Sequence, residues 1–71
     1  MMLHFKKSAE TDSIIIYEMA ATSAGRIEIN RKTQEIRILD AGDEEEDELK
    51  AIVKEHLIDN GYPETYTYAE G

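Results

Sequence analysis

The sequence predicts an α+β fold: a small antiparallel β-meander of three or four strands, one C-terminal amphipathic helix packed on one face, and a possible short extra edge strand at the C-terminus. Three observations carry that expectation. Residues 26–30 and 34–39 alternate apolar and polar side chains on either side of a short polar turn, the period of half-buried strands. Ile14-Ile15-Ile16-Tyr17 is a β-branched and aromatic run of strand length. Leu49, Ile52, Val53 and Leu57 recur at the helical period.

Taken in order, Leu3 and Phe5 alternate with His4 and Lys6 and predict a first strand over about residues 2–7. The polar stretch Ser8-Ala9-Glu10-Thr11-Asp12 reads as a turn, after which residues 13–19 form a central strand. Ile14 and Ile16 point to one side of that strand and Ile15, Tyr17 and Met19 to the other, so both of its faces are apolar. A break at Thr22-Ser23-Ala24-Gly25 precedes the best hairpin signal, residues 26–30 and 34–39 joined through Arg31-Lys32-Thr33. Ile27, Ile29, Ile36 and Ile38 share one face of it. Arg26, Glu28, Glu35 and Arg37 share the other, where opposite charges pair across strands.

Asp40-Ala41-Gly42 ends the sheet. Asp43 caps the helix that follows, with Glu46 three residues later completing a capping-box pattern, and the helix is expected over Glu44 to Asp59. Ala51, His56 and Ile58 flank its apolar stripe, and Asn60-Gly61 followed by Pro63 stops it. In the tail, residues 62–71, Tyr62, Tyr66 and Tyr68 alternate with polar neighbours. Residues 65–69 therefore read either as an edge strand or as a segment ordered only by a partner.

At 71 residues the chain is expected to be one folded unit with a thin core. It has no cysteine, which removes thiolate and iron–sulfur chemistry and suits a reducing compartment. The longest apolar run, Ile14 to Tyr17, is far short of the roughly 20 residues a membrane-spanning helix needs. Lys6 and Lys7 are not followed by a signal-peptide pattern, so a cytoplasmic location is expected. Residues 1–42 hold six Lys or Arg against six Asp or Glu, and residues 43–71 hold two against ten, which sums to the net charge of −8. That balance argues against direct nucleic-acid binding and points to a basic protein partner.

The candidate contact residues are the six consecutive acids Asp43, Glu44, Glu45, Glu46, Asp47 and Glu48, with Tyr62, Tyr66 and Tyr68. The plainest reading of the acids is a solvated helix start stabilised by the helix dipole. Beside it stands docking onto a basic protein surface, with the run imitating a phosphate backbone. Calcium or magnesium binding is a further alternative, although the acids lack the ligand spacing and glycine of a calcium loop. The two histidines, His4 and His56, could meet and bind zinc with an acidic residue; more simply, His56 borders the apolar stripe and His4 lies on the surface. Ser8, Ser13 and Ser23 sit in no nucleophile elbow, and no phosphate loop or dinucleotide fingerprint is present. Neither an enzyme nor a cofactor is expected. The reading is an acidic protein-interaction or regulatory module, with a structural homo-oligomer as the alternative. One helix covers one face only; if Leu39 and the Ile15, Tyr17 and Met19 side lie opposite the helix, the domain exposes an apolar patch that a second copy or a partner is expected to cover.

Overall fold

A computed structural model of the chain describes residues 2–20, 24–42 and 44–69. Five strands form one antiparallel sheet: β1 (Met2–Glu10), β2 (Ile14–Ala20), β3 (Gly25–Asn30), β4 (Ile36–Asp40) and β5 (Thr65–Ala69), in the order β4-β3-β2-β1-β5. The first four are a meander. From β4 the chain enters α1 (Glu46–Val53), which runs directly into a π-helical turn over Lys54–Ile58, crosses one face of the sheet and returns at the far edge as β5.

There are five strands rather than the expected three or four because the tyrosine-bearing tail pairs along β1, from Met2↔Ala69 to Lys6↔Thr65. Strand β1 also outruns its expected end at residue 7. Its register steps from Lys7↔Tyr17 to Ala9↔Ile16, and the bulge at Ser8 lets a polar stretch that resembles a turn go on pairing. The turn proper is closed by Thr11, whose Oγ1 accepts the backbone N–H groups of Ile14 at 3.0 Å and Ser13 at 3.3 Å.

In the next hairpin Ile27 opposes Ile38 and Ile29 opposes Ile36, on one face as expected. Strand β4 starts at Ile36, two residues later than the alternation implies. Asn30 draws the preceding residues into a turn: its Oδ1 accepts from Lys32 N at 2.9 Å and Thr33 N at 3.1 Å, and its carbonyl accepts from Gln34 N at 2.7 Å. Glu35 is thereby left outside the ladder. Arg37 pairs with Glu28 at 3.5 Å, while Arg26 pairs with Glu18 of β2 at 3.2 Å.

The core lies between sheet and helix, built from Leu3, Phe5, Ile15, Tyr17, Met19, Ile27 and Ile29 below and Leu49, Ile52, Val53, Leu57 and Ile58 above. Ile15, Tyr17 and Met19 thus lie under the helix, and the arrangement that would set them opposite it does not form. Pairing of Ile15 with Ile29 and of Tyr17 with Ile27 places them on the face the helix covers. Ile14, Ile16 and Leu39 take the open face, where Leu39 is 46% exposed and the two isoleucines are half-buried.

The helix begins at Glu46 rather than Glu44. Glu45 occupies the N-cap position without a side-chain cap bond; Asp43, expected to cap, lies outside the described residues. Ahead of it, Gly42 at φ 62° and the bond from Glu44 N to Ala41 O at 3.1 Å hold the chain in a turn that delays the first helical residue. At the other end Asp59 N donates to Lys54 O at 3.0 Å, five residues back. The wider turn turns Ile58 inward beside Leu57 instead of leaving it at the flank. Asn60 and Gly61 stop the helix as expected: Asn60 Nδ2 donates to His56 O at 2.8 Å, and Gly61 takes φ 77°.

Gly25 is closely approached by its neighbours in the sheet. A Cβ there would stand 2.7 Å from the backbone oxygen of Asp40 and 2.7 Å from Met19 Cε, and the β3–β4 register shifts beside it, between Arg26 and Ile27. Methionine can yield but the backbone oxygen cannot. Gly25→Ala is accordingly expected to cost about 1–3 kcal/mol, seen as a lower urea midpoint at unchanged slope. An unaltered midpoint would mean that the strands separate without cost.

Candidate functional site

Of the six acids singled out in the sequence, Glu46, Asp47 and Glu48 lie in the helix and Glu44 and Glu45 precede it, while Asp43 lies outside the described residues. Glu45, Glu46, Asp47 and Glu48 are exposed and Glu44 is half-buried. Among the described residues none of the five forms an ion pair, whereas Glu10, Glu18, Glu28 and Asp59 all do. Glu46, Asp47 and Glu48 occupy the first helical turn, where the backbone N–H groups favour negative charge. Successive residues there diverge by about 100° around the axis, so the three carboxylates face different directions. Among the described residues no group of three or more His, Asp or Glu side chains is placed to hold a metal ion.

The three tyrosines are not gathered into one patch with the acids. Tyr66 and Tyr68 lie on the helix side of β5 and flank His56, with ring centroids 5.5 Å and 4.8 Å from the imidazole. The Tyr66 hydroxyl is 3.0 Å from His56 Nδ1. Tyr62, at φ 58°, packs under the guanidinium of Arg31, 5.6 Å from its ring centroid. All three are half-buried against the core. His4 is on the opposite face, with Nδ1 3.0 Å from Thr67 Oγ1. The sheet itself separates the two imidazoles, so the zinc site weighed from sequence does not form.

At one end of the helix-covered face, Glu10 binds both Lys7 at 3.2 Å and Arg31 at 2.8 Å. Just inside, the fully buried Tyr17 donates its hydroxyl to the carbonyl oxygen of Pro63 at 2.6 Å. Burial, reinforced by the negative charges of Glu10 and Glu64, pushes that phenol well above its ordinary pKa. Tyr17 therefore stays protonated and ties β2 to the segment that leads into β5.

The open face holds a feature that was not read from the sequence. A trough of about 840 Å³ crosses all five strands, lined in part by Lys6, Glu18, Ala20, Arg26, Leu39 and Asp40. The strand register sets one straight cross-strand row in it: Asp40, Arg26, Glu18, Lys6, Thr65. Its charges alternate negative, positive, negative, positive. The alternation is encoded residue by residue, but the order along the row emerges only when four pairings are known together.

Among the described residues no helix is long and apolar enough to cross a membrane. No family model matches the chain, and no curated protein or solved structure shows significant similarity to it.

Proposed function

We propose that this chain is a small acidic protein-interaction module that docks its helix start onto a basic surface of a protein partner. The observation supporting this reading is the unpaired, exposed set Glu45, Glu46, Asp47 and Glu48. Glu10, Glu18 and Glu28 on the sheet are matched by cations, whereas these four project negative charge into solvent. Such a cluster accelerates encounter with a basic partner and selects against acidic ones. The same charge opposes binding to phosphate backbones. The module is non-enzymatic in this reading and works through contact alone.

Affinity capture with the unaltered chain and with an E46Q/D47N/E48Q variant tests it. Folding is expected to change little, because dipole stabilisation lost and mutual repulsion relieved are each only tenths of a kcal/mol to about 1 kcal/mol per residue. The captured partner is expected to be lost from the variant and, for the unaltered chain, to elute as salt is raised from about 0.1 to 0.5 M. A partner retained equally by the folded variant at both salt concentrations sinks the proposal.

A further inference from the structure

The geometry points to a second interaction surface: we infer that the open face of the sheet pairs with the open face of a second copy of this chain about a two-fold axis. The axis runs parallel to the strands between β2 and β3. The cross-strand row Asp40, Arg26, Glu18, Lys6 supplies the reason. Such an axis reverses the row in the second copy, so Arg26 of each chain meets Glu18 of the other, and Asp40 meets Lys6. A two-fold axis laid along the row instead sets every charge against its own like, which is repulsive.

The rest of the molecule directs a second copy to this face. The chain carries a net charge of −8, and two copies repel over most approaches. Glu46, Asp47, Glu48 and Glu55 ride on the helix that covers the other face. Among the ladder-paired residues of the open face, Lys6, Arg26 and Arg37 match Glu18, Glu28 and Asp40 in number, so the paired strands of opposed copies meet without net repulsion there. Arg26 and Glu18 already lie 3.2 Å apart within one chain; in the pair they join a quartet in which each guanidinium faces two carboxylates. The exposed Leu39 and half-buried Ile16 add apolar surface to the contact, and long side chains of each copy enter the other's trough. Five strands about 4.8 Å apart make a face only about 20 Å across. The contact falls at the small end of specific interfaces and forms a concentration-dependent dimer.

Sedimentation equilibrium from about 10 µM to 1 mM, the range of weak association, tests the inference on the whole chain. The unaltered protein is expected to shift from 8.1 kDa toward twice that mass, and the shift is expected to shrink at high salt. Arg26→Glu alone and Glu18→Arg alone are each expected to remain monomeric. An equimolar mixture of the two is expected to regain the dimer, because every cross-chain contact is again between opposite charges. Mixing cannot repair the pair within either chain, so recovery separates the intermolecular contact from a merely structural one. Should either variant fail to fold by circular dichroism, Lys6→Glu with Asp40→Lys provides the second complementary couple. A monomer at every concentration, a dimer that survives both single reversals, or a mixture of folded variants that stays monomeric overturns the inference.

Discussion

Tyr17→Ala is expected to abolish the cooperatively folded state. Tyr17 is fully buried beneath the helix, and emptying a large aromatic site in a core costs about 3–5 kcal/mol. A chain of 71 residues has only about 4–10 kcal/mol of stability in all. The loss of its hydroxyl adds to this, because the carbonyl oxygen of Pro63 then has no phenol at 2.6 Å. Thermal unfolding by circular dichroism is the measurement, and a sharp transition within a few degrees of the unaltered chain refutes the central position of this residue.

Tyr17→Phe isolates the hydroxyl. Its expected cost is about 1–2 kcal/mol at neutral pH, the value of a buried hydrogen bond whose acceptor is orphaned. Alkaline pH adds a second signature. The unfolded chain releases the phenolic proton near its ordinary pKa of 10, whereas burial, with Glu10 and Glu64 nearby, keeps that proton on the folded chain to higher pH. Above the unfolded pKa the unfolded state binds fewer protons than the folded one, so stability is fully present below that pH and falls as pH rises through it. The phenylalanine variant has no proton to release there, and the gap between the two proteins is expected to narrow as pH climbs above 10. A gap of constant size up to the highest pH measured would contradict the retained proton.

Deleting residues 62–71 is expected to have an effect of the same order. It removes β5 and with it Tyr62, Tyr66 and Tyr68, each half-buried against the core and each worth about 1–2 kcal/mol of burial. It also strips Tyr17 of its acceptor and opens the edge of β1 over Leu3 and Phe5. The shortened chain is expected to lose the near-ultraviolet signal of ordered tyrosines and to unfold without a cooperative transition. Retention of a cooperative transition would return these residues to the alternative reading, a tail ordered by a partner.

The strands of the meander were legible because their side chains alternate against one dominant core, and the alternation survives without knowledge of neighbours. Ile27, Ile29, Ile36 and Ile38 are the clearest case: local pattern alone places them on one face, and the pairings of Ile27 with Ile38 and Ile29 with Ile36 agree. The helix was legible for the same reason, through Leu49, Ile52, Val53 and Leu57. Its ends were less so. The start depends on whether the turn at Ala41–Glu44 holds the chain back, and the π-turn at Lys54–Ile58 depends on the demand for two consecutive apolar residues against the sheet.

For the candidate contact surfaces, the acidic run could be read directly, since exposure of Glu45 to Glu48 follows from charge alone. The row Asp40, Arg26, Glu18, Lys6 could not, because it spans four strands and its members are separated in sequence by three connections and two register shifts.

By itself the sequence determined the periodicities: which segments are strand or helix, where polar residues interrupt them, and where the excess negative charge is placed. Those are properties of neighbours in the chain, set by side-chain direction and capping over a few residues. Only the tertiary structure decided which face of β2 the helix covers, that residues 65–69 complete the sheet beside β1, and that His4 and His56 stand on opposite sides of it. Each of those is a choice between two arrangements with the same local pattern. It is settled by burying Ile15 and Tyr17 with Ile27 and Ile29, a long-range contact whose energy no local window contains.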